Sequence, residues 1–239
     1  MSSSPDPHEQ QIIRSWHSNA LPWSDAIRTR SIASRRLSTD QAIIQAIVDL
    51  APQRVLDVGC GEGWLARKLL ERRIAVVGVD AVPALIARAA QSVAPLAAHG
   101  AGEFHVLDYA GLAERKLKCE PCDAAVCNFS LLGNDSVESM LAALPSYLHS
   151  RAGLLIQTLH PRTACGDAPY EDGWRKGNWQ GFGPDFTDPA PWYFRTLDSW
   201  QRMLRRCGFD LKETREPTLP GSSEPVSVLF ICEAREVTT

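Results

Sequence analysis

Between Arg54 and His160 the sequence alternates short apolar runs with segments of helical periodicity. The apolar runs are, in order, RVLDV, IAVVGVD, EFHVLD, DAAVCN and GLLIQTLH. The helical segments between them are WLARKLLERR, PALIARAAQSV and SVESMLAALPSYLHS, and Pro83 opens the second of these at a position that favours proline. Strands that alternate with helices form a mostly parallel sheet with right-handed crossovers. The pattern therefore predicts an α/β, doubly wound fold.

Two more strand patterns, FDLKET and PVSVLFICEA, follow a helical segment over about 197–207. Only PTLPGSSE separates them, which is too short for a crossover helix, so they are expected to pair antiparallel. The prediction is a seven-stranded, mostly parallel sheet whose last strand pair is antiparallel. A chain of 239 residues with 44% hydrophobic content suits one such domain.

The first 40 residues precede this pattern and are predicted to form an N-terminal helical cap segment, with residues 41–239 as the main domain. Residues 1 to about 10 are expected to be loose, followed by two short helices that carry Trp16 and Trp23. The run Ser38-Thr39-Asp40 has the side chains of a helix N-cap, so the next helix is expected over Gln41–Leu50.

The first strand pattern leads directly into three alternating glycines, Gly59, Gly61 and Gly63. Glycine-rich turns between a strand and a helix commonly bind phosphate. Here, however, Trp64 occupies the third glycine position of the dinucleotide-binding pattern, and no Gly-Lys-Ser/Thr follows. Asp57, two residues before the first glycine, would repel a pyrophosphate. A carboxylate at this point favours a ligand that carries a positive charge.

S-adenosylmethionine meets these demands, because its α-ammonium suits Asp57 and its slender chain needs uncrowded backbone at the glycines. LDVGCGEG resembles the first motif of class I S-adenosylmethionine-dependent methyltransferases, and the order of elements from about 53 to 233 resembles that family's Rossmann-like, seven-stranded sheet. Asp80 ends the second strand, where a carboxylate can accept both ribose hydroxyls. NAD-binding proteins share that chemistry, so only Asp57 discriminates between the two cofactors.

The resemblance implies which residues contact the cofactor. Asp108 and Tyr109 end the third strand, where contact with the adenine edge is implied, although Asp108 has the alternative of merely turning the chain. Asn128 and Phe129 end the fourth strand, beside the transferable methyl group. In the cap segment, Arg35 is expected to bind the methionine carboxylate, with Arg36 as its substitute. In the main, S-adenosylmethionine-binding domain, the expected cofactor-binding residues are Asp57, Gly59, Cys60, Gly61, Gly63, Asp80, Ala81, Asp108, Tyr109, Asn128 and Phe129.

The expected methyl acceptor is a small molecule that presents an oxygen, nitrogen or carbon nucleophile. CNFSLL lacks the Asn/Asp-Pro-Pro-Tyr/Phe motif with which resembling nucleobase methyltransferases grip a flipped base. The net charge of -3 provides no excess of basic residues for nucleic acid or an anionic membrane. No nucleic-acid partner is therefore expected.

His160 ends the fifth strand and is expected to face the same crevice. As a catalytic residue it would act as a general base, because the ordinary pKa of histidine lies near neutrality. The equal alternative is a structural histidine that bonds to the backbone of the following insertion.

The strand and helix rhythm breaks over about 160–195, a segment rich in glycine, proline and aromatic residues. One interpretation is a lid over an apolar or aromatic acceptor, closing together with the segment of Trp16 and Trp23; the other is a small core packed on the sheet edge. The acceptor-binding residues expected from the lid interpretation are Trp23, Trp174, Trp192, Tyr193 and Arg195, the last as a partner for a carboxylate or as an ordinary surface residue.

Seven scattered cysteines in mostly apolar settings indicate reduced thiols and a cytoplasmic protein. Cys119 and Cys122 have the spacing of half a zinc site, but no second pair follows, so no metal is expected. No apolar run has the length of a membrane span, and no signal peptide is expected. Two alternatives to a methyltransferase remain open: an NAD-dependent oxidoreductase, and a catalytically silent protein that binds S-adenosylmethionine as a partner subunit.

Overall fold

The computed structural model describes residues 6–236, and a seven-stranded sheet forms its centre. The strands of the described chain are β1 (Arg54–Val58), β2 (Ala75–Asp80), β3 (Gly102–Val106), β4 (Cys122–Asn128), β5 (Leu148–Leu159), β6 (Gly173–Arg175), β7 (Trp192–Phe194), β8 (Phe209–Arg215) and β9 (Ser227–Ala234). The main sheet has the order β3-β2-β1-β4-β5-β9-β8. Neighbours from β3 to β5 are parallel, and β9 is antiparallel to both β5 and β8. The predicted doubly wound sheet with an antiparallel closing pair is confirmed.

Helices cover both faces of this sheet. The α-helices are α1 (Pro7–Arg28), α2 (Asp40–Asp49), α3 (Trp64–Leu70), α4 (Pro83–Val93), α5 (Tyr109–Ala113), α6 (Asp135–Ala143), α7 (Pro161–Ala164) and α8 (Leu197–Arg206). Side chains of α2, α3 and α4 pack into one core, and those of α5, α6 and α8 pack into the other. After α6, Leu144–Tyr147 forms a 3-10 turn and Leu148 already begins β5, so the helix predicted over this segment is shorter than expected.

The N-terminal segment differs from the prediction, because α1 is a single helix of 22 residues in place of two short ones. Five of its residues are buried: Ser15, Asn19, Ala20, Ser24 and Ala26. Most of these side chains are small or polar, so the buried face has no hydrophobic periodicity in the sequence. The helix begins at Pro7, and the side chain of Asp6 caps it, so the predicted loose start does not extend to residue 10; residues 1–5 lie outside the described part.

The expected N-cap at Ser38-Thr39-Asp40 is also absent. Arg35–Thr39 forms a π-helix that continues directly into α2, and no side chain in this stretch makes a capping hydrogen bond. Asp40 instead accepts a hydrogen bond from Arg35 Nε at 2.8 Å. Turns of π-helix are rare and occur frequently at functional sites.

The insertion after β5 contains structure that its sequence does not signal. The short strands β6 and β7 pair antiparallel at its two ends, with Trp174 opposite Tyr193. Between them, an aromatic cluster of Trp179, Phe182 and Phe186 packs against the tryptophans of α1.

Candidate functional site

A cavity of about 750 Å³ lies at the carboxyl ends of β1 to β4. The turns after these strands supply Gly59, Gly61, Asp80, Ala81, Asp108, Tyr109, Asn128, Phe129 and Ser130. Helix α1 forms the opposite wall with Glu9, Gln10, Ile12, Ile13, Trp16 and Trp23, and the start of α6 adds Asp135 and Ser136. Ligands of open α/β sheets bind at this edge, so the cavity is the candidate functional site.

The three glycines of the first turn have different surroundings, although all adopt positive φ angles. A Cβ on Gly59 would lie 2.4 Å from Ser130 Cβ, and one on Gly63 would lie 2.9 Å from the backbone of Ala89. The nearest atom to a Cβ on Gly61 would be Trp23 Nε1 at 3.5 Å, an ordinary contact. Gly59 and Gly61 line the cavity, whereas Gly63 lies away from it and allows α3 and α4 to approach closely.

Asp57 is buried behind the glycine turn and does not itself line the cavity. Its Oδ2 atom has no hydrogen-bond partner among the described residues. Burial, together with the charge of Asp80, raises the pKa of Asp57 to about 7. A buried carboxylate without a partner is costly unless a cation or donor reaches it. This orphaned oxygen fits a positively charged ligand group. Cys60, also expected at the cofactor, is buried and does not line the cavity.

Asp80 lies on the cavity wall with both carboxylate oxygens held by backbone. Oδ2 accepts from Gly61 N at 3.0 Å, and Oδ1 accepts from Val82 N at 2.9 Å. Burial raises the pKa of Asp80, and these two hydrogen bonds oppose that rise. Since a carboxylate oxygen has two lone pairs, each oxygen keeps one for a ligand hydroxyl.

The turns after β3 and β4 form the rest of the floor. Asp108 lines the cavity and also caps α5 by accepting from Gly111 N at 2.8 Å, so both roles considered for it are compatible. Tyr109 donates its hydroxyl to Ser130 O at 2.8 Å and ties the two turns together. Phe129 has a φ of 54°, a left-handed conformation that is strained for an aromatic residue, and its N–H donates to Gln157 O at 2.8 Å. Backbone strain of this kind is concentrated at functional sites.

Arg35 lies beside the glycine turn without lining the cavity. Its guanidinium carbon is 4.5 Å from the ring centre of Trp64 and 5.6 Å from that of Trp23. Nε is bonded to Asp40, whereas Nη2 is buried and has no partner among the described residues. The π-helix that carries Arg35 lies over the end of the sheet, because Gln157 Nε2 donates to Thr39 O at 3.1 Å.

A family model described as a methyltransferase domain matches residues 30–214. The chain belongs to the class I methyltransferases. This is the family that LDVGCGEG predicted, and S-adenosylmethionine is its methyl donor. The family match removes the oxidoreductase alternative. No curated protein matches the sequence significantly.

Solved structures share the methyltransferase's fold at low sequence identity. A 1,6-didemethyltoxoflavin N1-methyltransferase from Burkholderia thailandensis has a TM-score of 0.64 and 18% identity, with 99% of this chain and 93% of that chain covered. Magnesium protoporphyrin IX methyltransferase from Synechocystis PCC 6803 has a TM-score of 0.53 and 16% identity, with coverage of 99% and 87%. An S-adenosylmethionine-dependent methyltransferase from Mesorhizobium loti has a TM-score of 0.57 and 21% identity, with coverage of 79% and 96%.

His160 does not face the cavity of the methyltransferase, contrary to the sequence expectation. Its ring is buried, and Nε2 lies 3.0 Å from Glu216 Oε1, in the link between β8 and β9. Strand β5 lies between β4 and β9, and the chain continues from its end into α7. The contact to Glu216 also differs from the backbone bond expected of a structural histidine.

The acceptor-binding residues expected in the insertion do not line the cavity either. Trp23, which was expected to act with them, lies on α1 and does line it. Trp174 stacks on His8 at 4.5 Å, and Trp192 contacts Phe194. The insertion instead supports α1 from outside, since Asn19 Nδ2 donates to Thr187 O at 2.7 Å and Trp179 meets Trp16 at 5.8 Å. The wall over the cavity is α1, and the insertion braces it.

Arg195 is buried and holds the loop that precedes α6. It donates to Gly133 O at 2.9 Å and to both the backbone and side-chain oxygens of Asn134 at 3.1 and 3.0 Å. Its guanidinium also lies over the rings of Tyr193 and Trp200, and burial lowers the pKa of Arg195. These contacts assign Arg195 to the support of the loop and not to a substrate carboxylate.

Sequence reasoning missed the wall residues Glu9 and Ser136, whereas the segment of Trp16 and Trp23 was expected at the cavity. Glu9 and Trp16 lie seven positions apart, which places them on one face of a helix, and this spacing was the available signal. Among the described residues, no group of three histidine, cysteine or acidic side chains is arranged to hold a metal ion. Within the same residues, no helix combines the length and apolar character needed to span a bilayer.

Proposed function

We propose that this methyltransferase transfers the methyl group of S-adenosylmethionine to a small-molecule nucleophile enclosed between the strand ends and α1. The observation that carries this proposal is the cavity itself, which runs from the glycine turn to the start of α6. Its volume of about 750 Å³ lies within the usual range for small-molecule sites. The toxoflavin and protoporphyrin enzymes, which share the fold, act on small molecules and support the proposal.

The chain's own residues fit the two ends of the methyl donor. Asp57 would receive the α-ammonium, directly or through a water molecule, which supplies the missing partner of Oδ2, and Arg35 Nη2 would receive the carboxylate. Asp80 would accept the ribose hydroxyls, with Asp108 and Tyr109 at the adenine. Asn128 and Phe129 would lie beside the transferable methyl group.

The bound donor supplies a methyl group already activated by a positively charged sulfur, so the protein has little acid or base chemistry to perform. The residues of the cavity hold donor and acceptor in line. Helix α1, as the wall over the cavity, excludes water. His160 has no part in this step, because its ring lies at Glu216. We further propose that residues 1–40 function as the cap and that the insertion at about 160–195 acts only as its brace.

The test is mass spectrometry of a small-molecule extract from the source organism after incubation with the protein and S-adenosylmethionine that carries a deuterated methyl group. The expected result is one class of product that gains the deuteromethyl group, with release of S-adenosylhomocysteine. The matched control is Asp80→Asn, which should lose both signals. Binding of the donor without any labelled product would instead favour the silent partner subunit.

A further inference from the structure

The acceptor end of the cavity has an unusual charge. Beyond the cofactor turns, its wall contains the carboxylates of Asp6, Glu9 and Asp135. None of the lining residues in the described part of the chain is arginine, lysine or histidine. Asp6 is engaged in capping α1, and Asp135 accepts from Asn134 Nδ2 at 2.9 Å. Glu9 is the remaining carboxylate, and it joins α1 to the start of α6 across the cavity wall.

Glu9 crosses from α1 to the first turn of α6. Its Oε1 accepts from Asn134 N at 2.8 Å, and its Oε2 accepts from Ser136 Oγ at 2.7 Å. Gly133 leaves room for this approach, because a Cβ there would lie 2.3 Å from Glu9 Oε2. Each oxygen has one fixed donor and one remaining lone pair. The carboxylate is thus held in one position on the cavity wall while keeping capacity for a ligand.

No cation of the protein neutralises this carboxylate directly. Arg195 lies behind the loop, where its donors are used by Gly133 and Asn134, and no ion pair joins it to Glu9 within the described residues. Aromatic rings of Trp16, Tyr109 and Phe129 line the same cavity, and the faces of such rings attract cations. A carboxylate in a cavity that also presents aromatic rings, with no basic side chain among its described lining residues, is the chemistry that binds an organic ammonium group.

We infer that the methyl acceptor carries a protonated amine and that Glu9 is the specificity-determining residue that binds it. This inference rests on the proposed methyl transfer and adds the charge class of the acceptor. An acceptor with a carboxylate or phosphate meets only repulsion at this end of the cavity. Glu9 acts here in recognition of the acceptor and not as a general base.

The first test separates the small-molecule extract by ion exchange into cationic, neutral and anionic fractions before incubation with protein and deuteromethyl S-adenosylmethionine. Label is expected in the cationic fraction. Label confined to the neutral or anionic fraction overturns the inference and leaves the proposed function intact. Absence of label from every fraction, with S-adenosylhomocysteine still bound, contradicts the proposed function and the inference with it.

The second test compares Glu9→Gln with Glu138→Gln, which removes a carboxylate from the outer surface of α6 where it pairs with Arg206. With the cationic fraction as acceptor, Glu9→Gln should lower the labelling rate at least about 10-fold, as expected for loss of a charged hydrogen bond. Glu138→Gln should retain the wild-type rate. Affinity for S-adenosylhomocysteine should stay within about twofold in both variants. An equal loss of labelling and cofactor affinity in Glu9→Gln would show that Glu9 only fastens α1, and would overturn the inference.

Discussion

Asp57 links the chemistry of the cavity to the stability of the fold. Burial and Asp80 raise the pKa of Asp57 to about 7, against an ordinary value of 3.8. The folded state therefore holds a proton on Asp57 that the unfolded state releases. The stability contributed by this proton is fully present below about pH 4 and is lost as the pH rises through 7. In the absence of ligand, ionised Asp57 thus destabilises the protein above neutrality.

Asp57→Asn is accordingly expected to raise the melting temperature of the ligand-free protein by a few degrees at pH 8 and by clearly less at pH 5, where only part of the loss has occurred. The same variant should bind S-adenosylhomocysteine more weakly, because its ammonium loses a charged partner. In the wild type, affinity should rise between pH 6 and pH 8, and in the variant this dependence should disappear. Thermal melts at pH 5 and pH 8 check the change in stability, and calorimetry at pH 6 and pH 8 checks the change in affinity. An equal change of melting temperature at pH 5 and pH 8 would contradict the assignment.

The glycines of the first turn provide a second test at the residue scale. Gly63→Ala should lower the melting temperature by several degrees, since a Cβ there meets the backbone of Ala89 and about 2 kcal/mol is a typical cost of such crowding. Gly61→Ala should cost less stability but should weaken binding of S-adenosylhomocysteine, because Gly61 lines the cavity. Gly221→Ala, with a φ of 78° and open surroundings, measures the backbone cost alone. If Gly61→Ala and Gly63→Ala lost stability and affinity in the same proportion, the two positions would not have separate roles.

Single residues of the site were predictable where one local motif determines them. Gly61 and Asp80, which line the cavity, follow from a turn and a strand end that the sequence specifies within a few residues. Glu9 does not, because its position at the cavity depends on how α1 docks against α6, about 125 residues away. His160 was misplaced for a related reason: a strand end gives the edge of the sheet, but not the direction in which the side chain points.

At the scale of elements, the sheet was predictable and the cap was not. Strands β1, β2 and β4 are short, mostly apolar and mostly buried runs, as expected for the centre of a parallel sheet covered on both faces. Helix α1 instead buries Ser15 and Asn19, whose polar side chains conceal its periodicity. The aromatic density of the insertion indicated burial correctly, but it did not reveal whether the rings face a ligand or the outer surface of α1.

The brace between α1 and the insertion gives a prediction at this scale. Asn19 exchanges hydrogen bonds with the backbone N and O of Thr187 at 2.9 and 2.7 Å. Asn19→Ala should therefore loosen α1 and increase its rate of proteolytic cleavage several-fold, with protection restored by S-adenosylhomocysteine. Ser18→Ala is the matched control, because Ser18 is exposed and its hydroxyl contacts only Arg14 O. Identical cleavage rates for the two variants would show that the hydrogen bonds to Thr187 do not hold the cap.

At the scale of the whole molecule, the proposed function makes Arg35 the contact between the N-terminal cap and the bound cofactor. We expect Arg35→Ala to lose affinity for S-adenosylhomocysteine and to bind methylthioadenosine almost as the wild type does, because the second ligand lacks the amino-acid end. Arg36→Ala is the control, since Arg36 is exposed beside it. Calorimetry with both ligands makes the comparison. If Arg35→Ala lost the same affinity for both ligands, the role of Arg35 would be only structural, between Trp23 and Trp64.

The central claim is that a carboxylate behind the first glycine turn adapts this cavity to a cofactor with a positively charged end and not to a dinucleotide. The most direct measurement is calorimetric titration of the wild-type protein at pH 8 with S-adenosylhomocysteine and, separately, with NADH. We predict saturable one-to-one binding of S-adenosylhomocysteine and no binding of NADH. Saturable binding of NADH, or no binding of S-adenosylhomocysteine, would contradict the central claim.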